Sequence, residues 1–243
     1  MKIIVVGGVA GGATAAARLR RLDEKAQITV YERGEYISFA NCGLPYHIGD
    51  VIQDRDRLLL ETPETFKEKN NVTVKVKSNI VKINREKKTV LVKDLLTSRE
   101  YEDSYDFLLL SPGAEPIKPS IAGIDSPNIF TLRNINDMDR IIKYSDEHKV
   151  KKVAVIGAGF IGLEAAENFL HKGKNVTIIE MGPQVLSPID FEMASLLHSH
   201  ITDKGAELIL RDGVEKFAYN GELTRIHLKS SRTVDAQIVI FAI

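Results

Sequence analysis

Two unbroken apolar runs, each β-branched and each followed at once by glycines, set the pattern of this chain. Lys2 to Val6 is the first; a run without polar alternation marks a strand buried on both faces of a parallel sheet. Gly7-Gly8-Val9-Ala10-Gly11-Gly12 comes next and leads into the Ala-rich stretch Ala13 to Leu22, which reads as a helix. Gln27 to Tyr31 is a second strand, and it ends on Glu32, 25 residues after Gly7. The same order returns in the second half of the chain. Lys152 to Ile156 is a strand, Gly157-Ala158-Gly159-Phe160-Ile161-Gly162 a glycine loop, and Leu163 to Lys172 a helix with Gly173 suited to its C-cap. Asn175 to Ile179 follows as a strand and ends on Glu180, 23 residues after Gly157.

Strand, glycine loop, helix, strand, acid is the dinucleotide fingerprint. Glycines let the backbone approach a pyrophosphate, the helix N-terminus favours its charge, and the acid accepts from a ribose hydroxyl. The first candidate site is therefore Gly7, Gly8, Val9, Ala10, Gly11, Gly12 and Glu32, with Val9 standing where the middle glycine belongs. The second is Gly157, Gly159, Phe160, Ile161, Gly162 and Glu180, an intact G-x-G-x-x-G. Met181 to Gln184 supply no Arg or Lys for a 2′-phosphate, which favours NADH; a basic residue arriving from elsewhere would admit NADPH.

Between the repeats the pattern changes. Asp50 to Leu60 is charged and reads as loop or short helix, and Thr62-Pro63-Glu64 reads as a cap opening another helix. Val72 to Lys77, Ile80 to Ile83 and Thr89 to Lys93 read as strands, the last two around a charged hairpin, so a small antiparallel layer is inserted here. Asp106 to Leu110 is another buried strand. It runs into Ser111-Pro112-Gly113, a turn at the strand end where α/β sheets bind ligands. Pro112, Pro116, Pro119 and Pro127 then break the pattern, placing a boundary between residues 1–124 and 125–243. Beyond Glu180 the sequence predicts a helix from Asp190 to Lys204, a strand from Glu207 to Leu210, a hairpin turning at Asn220-Gly221, and a last strand, Gln237 to Ile243, cut off mid-pattern as if sequence were missing. The predicted fold is α/β: two Rossmann-like units with an inserted antiparallel layer.

Composition narrows the chemistry. Lys+Arg and Asp+Glu balance at 33 each, so nothing steers the molecule toward nucleic acid or an anionic membrane. No apolar run reaches the roughly 18 residues of a membrane span. Lys2 to Gly12 imitates a signal peptide, but its glycines fall where a nucleotide loop wants them; the reading is a soluble protein. One cysteine in 243 residues excludes an intrachain disulfide, a Cys-rich metal site and a dithiol redox pair, and it points to a reducing, cytoplasmic setting with no metal. Cys42 precedes Gly43-Leu44-Pro45, where Pro45 suits a first helical turn, so the sulfur would sit at a helix N-terminus that favours thiolate. The bland alternative is a small buried hydrophobe. Two dinucleotide units of unequal fingerprint suggest two dinucleotides, FAD on the first and a nicotinamide on the second. Cys42 lies ten residues after Glu32, which would seat it beside the flavin, with electrons passing from nicotinamide to flavin to sulfur.

On Gly7 to Arg21, Ser38 to Gly49, Ser111 to Pro116 and Gly157 to Glu164, the chain resembles the single-cysteine branch of the pyridine nucleotide-disulfide oxidoreductases, nearest the coenzyme A-disulfide reductases, rhodanese-fused ones included. The resemblance implies that Cys42 is the redox nucleophile, cycling between thiolate and a mixed disulfide with coenzyme A. It implies Arg33, Val81, Ser111 and Gly113 at the flavin, and Phe160 and Glu164 near the nicotinamide. It implies coenzyme A contacts at Thr14, Arg18 and Arg21, which fall on one helix face at i, i+4 and i+7, and at Ser38 and Asn41. Asn70 stands where one relative has a substrate-binding Lys, with Lys69 adjacent. Ala10 stands where NADH peroxidases and related oxidases have a His, which weighs toward disulfide and against peroxide; His47 reads as structural. The competing readings are an NADH oxidase or peroxidase using a Cys42 sulfenic acid, and a truncated chain that binds nucleotides without catalysis. By resemblance the rest of the flavin domain and the dimerisation domain of a homodimer lie outside these residues. The resemblance implies a small disulfide, persulfide or polysulfide as substrate.

Overall fold

Ile3, Ile4 and Val5 are all but inaccessible to solvent, because the strand they form lies in the middle of a sheet covered on both faces. The computed structural model describes residues 1–243. In chain order the elements are β1 (Lys2–Val6), α1 (Ala10–Leu22), β2 (Gln27–Tyr31), α2 (Leu44–Ile48), α3 (Pro63–Asn70), β3 (Thr73–Lys75), β4 (Ser78–Asn84), β5 (Thr89–Asp94), β6 (Glu100–Ser104) and β7 (Phe107–Leu110). There follow β8 (Ile129–Phe130), α4 (Ile135–Glu147), β9 (Lys152–Ile156), α5 (Phe160–His171), β10 (Asn175–Ile179), α6 (Phe191–Asp203), β11 (Glu207–Ile209), β12 (Val214–Tyr219), β13 (Thr224–Leu228), β14 (Thr233–Ala236) and β15 (Ile238–Phe241). Two units result: Met1–Ala40 with Arg55–Ala114, and Asn41–Asp54 with Glu115–Ile243.

The first unit holds a parallel sheet of order β3-β2-β1-β7. Side chains alternate across β1, so Ile3 and Val5 pack with Ala13, Ala16, Phe66 and Val72 on one face. Ile4 packs with Tyr31, Val90 and Val92 on the other, under the antiparallel layer β4-β5-β6. Val72 to Lys77, read from sequence beside the antiparallel strands, instead supplies β3, an edge of the parallel sheet. β6 escaped the sequence reading because its alternation is carried by Tyr101 among charged residues. It is tied to the sheet through Asp103, which accepts from the Tyr31 hydroxyl at 2.7 Å and pairs with Lys2. Burial first, then Asp103, pushes the Tyr31 hydroxyl far above the ordinary phenol range.

The second unit repeats the plan with a parallel sheet of order β11-β10-β9-β15-β8 and an antiparallel layer β12-β13-β14. Ala154, Ile156, Val239 and Phe241 pack with Phe217, Ile226 and Leu228 between the two sheets. α4, which the sequence reading passed over, starts at a capping box in which Asn134 and Asp137 each accept the other's backbone N–H, at 2.9 and 3.3 Å. α2 packs on α4 and α5. A Cβ on Gly49 would stand 2.1 Å from Asn168 Oδ1, and Lys172 pairs with Asp50 at 2.9 Å. Residues 41–54 thus fold with the second unit although they fall early in the chain. No helix is long and apolar enough to cross a membrane.

Within the Arg18 to Arg21 cluster the structure separates two jobs. Arg20 donates to the carbonyls of Asp23, Glu24, Ala26, Asn70 and Asn71 at 2.6 to 3.1 Å, joining the end of α1 to the end of α3. Arg18 and Arg21 are exposed. Arg20→Ala is expected to lower stability by about 2 to 3 kcal/mol, through carbonyls left without a charged donor. Arg18→Ala changes it by less than about 0.5 kcal/mol. Urea unfolding of the two variants checks the contrast.

Candidate functional site

Each unit carries the same construction where its first strand ends. Gly7 takes φ 95° and Gly157 φ 99°, and their N–H groups donate to Tyr31 O and Ile179 O at 2.8 and 2.9 Å. Only hydrogen fits on their outer sides: a Cβ on Gly7 would stand 1.9 Å from Ser111 O, and one on Gly157 2.4 Å from Ala242 O. The last glycine lets the helix close on the strand, since a Cβ on Gly12 or Gly162 would meet the carbonyl of Gly7 or Gly157 at 1.8 or 2.0 Å. Gly159 differs, with nothing within 4 Å of its Cβ position. That space lies beside the first turn of α5, which has neither a side-chain cap nor an acid. Val9 takes the corresponding place before α1, likewise uncapped and without an acid in the first turn. Free N–H groups beside a glycine cradle fit a pyrophosphate at both loops.

The acids are built into the loops. Glu32 accepts from Gly8 N–H and Gly34 N–H, both at 2.7 Å, and is buried. Glu180 accepts from Ala158 N–H at 2.8 Å and Gly182 N–H at 2.6 Å. Each carboxylate oxygen keeps a lone pair for a ribose hydroxyl, so the residues present fit a dinucleotide in both units.

The other candidate residues divide between the units. In the first, Ser111 donates its N–H to Val6 O at 2.8 Å, and its Oγ stands 3.1 Å from where a Cβ of Gly11 would be; Gly113 follows, exposed, with φ 71°. Val81 is exposed at an irregularity of the β4–β5 pairing, and Arg33 is exposed beside Glu32. Ala10, Thr14, Arg18 and Arg21 are exposed on α1. Ser38 takes φ 44° and donates its N–H to Gly8 O at 2.9 Å, which ties it to the first glycine loop. Lys69 pairs with Glu61 at 2.7 Å, and Asn70 Nδ2 donates to Phe66 O at 3.3 Å, so both serve the end of α3.

In the second unit, Asn41 and Cys42 lie exposed in a single 3-10 turn, and α2 after it is only five residues long. Pro45 stands in its first turn as its sequence suggested. The sulfur therefore lies one turn ahead of the helix, and Cys42 is not the buried hydrophobe of the bland reading. His47 Nδ1 meets Ile52 O at 2.6 Å, a structural contact. Phe160 and Ile161 present apolar side chains to solvent at the start of α5. Burial, then the charge of Glu167, pushes the Glu164 carboxyl up. Burial, then Glu164, Glu167 and Cys42, pushes the Tyr46 hydroxyl up. A cavity of about 510 Å³ beside α5 is lined by Phe160, Leu163, Glu164, Leu197 and Ile201 among others. No group of three His, Cys, Asp or Glu is placed to hold a metal ion.

With this geometry in hand, the chain belongs to the pyridine nucleotide-disulphide oxidoreductases, a family of enzymes whose model matches residues 1–243. It is similar to a coenzyme A disulfide reductase of Staphylococcus haemolyticus (strain JCSC1435), 44% identical over 203 residues, which covers 84% of this chain and 46% of the relative. Its fold matches reduced Bacillus anthracis CoADR-RHD with a TM-score of 0.97 at 51% identity, over 100% of this chain and 43% of that one. It also matches a NAD-dependent persulfide reductase from A. fulgidus, with a TM-score of 0.95 at 36% identity, over 100% and 45%. The chain spans about half the length of these proteins.

Gly159→Ala and Gly162→Ala test the division of labour between glycines. The first is expected to keep the stability of the parent and weaken 5′-AMP binding about tenfold, since its methyl group fills the phosphate approach. The second is expected to destabilise by about 2 to 3 kcal/mol through its clash with a carbonyl. A raised carboxyl favours the folded state below its unfolded pKa and loses that advantage as pH rises through the folded value. Glu164→Gln is accordingly expected to raise the urea midpoint at pH 7 and to leave it nearly unchanged below about pH 4.

Proposed function

We propose that this chain is the nucleotide-binding part of an FAD-dependent NAD(P)H:disulfide oxidoreductase acting on coenzyme A disulfide, or on a related persulfide or polysulfide, through Cys42. In this reading residues 1–124 bind FAD and residues 125–243 bind the nicotinamide dinucleotide. The observation that carries it is the exposed Cys42, the only sulfhydryl, in a chain with two dinucleotide loops, the second an intact G-x-G-x-x-G. FAD, when bound, supplies the two-electron link between nicotinamide and sulfur.

Cys42 thiolate attacks one sulfur of the substrate, forming a protein–substrate disulfide and releasing the other half as thiolate. Two electrons then reduce that mixed disulfide, releasing the second thiolate and restoring Cys42. Glu32 and Glu180 orient the two adenosine riboses, and the loops at Gly7 to Gly12 and Gly157 to Gly162 hold the pyrophosphates. Ser111, Gly113, Arg33 and Val81 complete the flavin site, and Phe160, Ile161 and Glu164 complete the nicotinamide site. Thr14, Arg18 and Arg21 bind the phosphates of coenzyme A, helped by Ser38 and Asn41; the exposure of Arg18 and Arg21, when Arg20 between them is consumed by carbonyls, supports this. Ala10 offers no imidazole, which supports disulfide over peroxide. The working form is a homodimer in the cytoplasm, where the thiol stays reduced.

Supplied with FAD and NADH or NADPH, the protein is expected to turn over coenzyme A disulfide faster than hydrogen peroxide. Cys42→Ser is expected to lower that turnover by at least about 10³-fold. Peroxide turnover exceeding disulfide turnover would convert the reading to an oxidase or peroxidase. A chain that takes up no FAD would reduce it to a nucleotide-binding fragment.

A further inference from the structure

Each unit ties one carbonyl of its glycine loop to a segment further along the chain, and the two units hold that segment by different means. In the first, Ser38 donates its N–H to Gly8 O at 2.9 Å; in the second, Leu186 donates its N–H to Ala158 O at 2.9 Å. Ser38 and Leu186 each stand six residues after the acid, and both take the left-handed conformation that side chains rarely adopt, with φ 44° and 46°. The accepting carbonyl shares a planar peptide group with the next N–H, so the same bond aims the N–H of Val9 or Gly159. That N–H opens the following helix on the side where a pyrophosphate would lie.

The first unit fixes Ser38 through main-chain bonds: Leu60 N donates to Ser38 O at 3.1 Å and Ala40 N to Leu58 O at 2.8 Å. The second uses a side chain. Val185 N–H, immediately before Leu186, donates to Nε2 of His198 on α6 at 3.2 Å. A backbone N–H can only donate, so this nitrogen carries a lone pair and the imidazole is neutral, with its proton on Nδ1. Val185 is buried, which leaves its N–H no water to turn to once the acceptor is lost. The Phe191 ring meets His198 edge-on, with centroids 6.3 Å apart. On α6 itself, Glu192 and His200 stand on other faces of the helix. Among the segments around α6, β11 brings Glu207, paired with Arg232, and the loop begins at Glu180, clamped by two N–H groups. Asp190 precedes the helix, and Glu164 and Glu167 of α5 line the cavity between the two helices. None of these carboxylates pairs with the imidazole.

We propose that His198 is a positioning residue of the second dinucleotide loop: its neutral imidazole, acting through Val185 and Leu186, aims the Gly159 N–H at the pyrophosphate, and protonation releases it. An imidazolium has two donors and no acceptor, so it turns a hydrogen bond to Val185 into a donor facing a donor. Dinucleotide binding in this unit therefore weakens in acid, while the loop at Gly7 to Gly12, held by main-chain bonds, keeps its aim. The proposal rests on the reading of Gly157 to Gly162 as a pyrophosphate loop and adds a pH-dependent hold to it.

The test is calorimetric titration of the full chain, supplied with FAD, with NAD⁺ across the span from about pH 8 to about pH 5.5 over which imidazoles take up a proton. The parent is expected to lose about tenfold in NAD⁺ affinity over that span. His198→Gln, whose amide oxygen can accept from Val185 N–H and does not titrate, is expected to bind like the parent at the alkaline end and to lose much less in acid. His198→Ala is expected to be about tenfold weaker at the alkaline end already. FAD affinity, measured alongside, is expected to stay level in both variants. Superimposable pH profiles for the parent and His198→Gln overturn the proposal, as does a His198→Ala chain that binds NAD⁺ like the parent. Where His198→Ala does not fold, the comparison of the parent with His198→Gln decides alone. Failure of the parent to bind NAD⁺ at the alkaline end removes the nucleotide-site reading itself, and the role of His198 with it.

Discussion

A carboxylate clamped by two backbone N–H groups is the constraint on which both units depend. At the end of β2 and of β10 the chain must place a glutamate against a glycine loop from the neighbouring strand, and the bonds from Gly8 and Gly34 to Glu32, and from Ala158 and Gly182 to Glu180, fix that relation. A buried charge such as Glu32 is tolerable only because its oxygens are so satisfied. The clamp orients the loop before any ligand arrives. It holds the N–H groups of the following helix toward the open side, and it presents the unused lone pairs of the acid at a fixed place. Cradle and acid are one structure, which is why their spacing is so regular in the sequence.

That regularity made the core of the fold legible. β1, β2, β9, β10 and the helices after the loops follow from apolar period and from glycines that admit only hydrogen, and such signals are local. Elements whose stability is not local were harder to read. β6 is a charged strand held through Asp103 to Tyr31 and Lys2, residues some seventy and a hundred positions away, and its sequence shows no apolar face. α4 is opened by Asn134 and Asp137, a box with Asp where Glu or Gln is the familiar signal. Of the candidate site, the glycines, the acids and the lone thiol were legible. The clamp was not, because a sequence shows the acid's distance from the loop and not which of its lone pairs the backbone has taken.

The thiol segment shows how position in the chain and position in the fold can disagree. Cys42 follows the first acid by ten residues, yet Asn41–Asp54 folds with the second unit. The physical cause lies in its small and buried residues. Gly49 closes on Asn168 so tightly that no side chain would fit, and Leu44, Pro45 and Ile48 are buried. Charge completes the attachment through Asp50 and Lys172. α5 therefore carries the second glycine loop at its start and the thiol-bearing segment along its length. Read from left to right, the sequence shows the sulfur's distance from the first acid and not the unit on which its segment packs.

Duplication also explains what the two units no longer share. Parallel sheets, crossing helices, clamped acids and three-stranded antiparallel layers recur in both, so these satisfy requirements that either nucleotide would impose. Three differences leave this framework untouched and fall beside the loops and acids. Val9 against Gly159 changes the room beside the helix N-terminus; Ala10 against Phe160 changes what the first turn exposes; Glu35 against Pro183 changes whether a cation beside the acid is neutralised. None of the three alters a backbone hydrogen bond of the clamp, since Gly8 and Ala158 donate alike and Lys77 and Arg211 donate alike. A fold repeated within one chain thereby serves as its own control: what repeats, the clamp and its backbone hydrogen bonds, answers to the scaffold, and side chains around it are free to diverge without disturbing it.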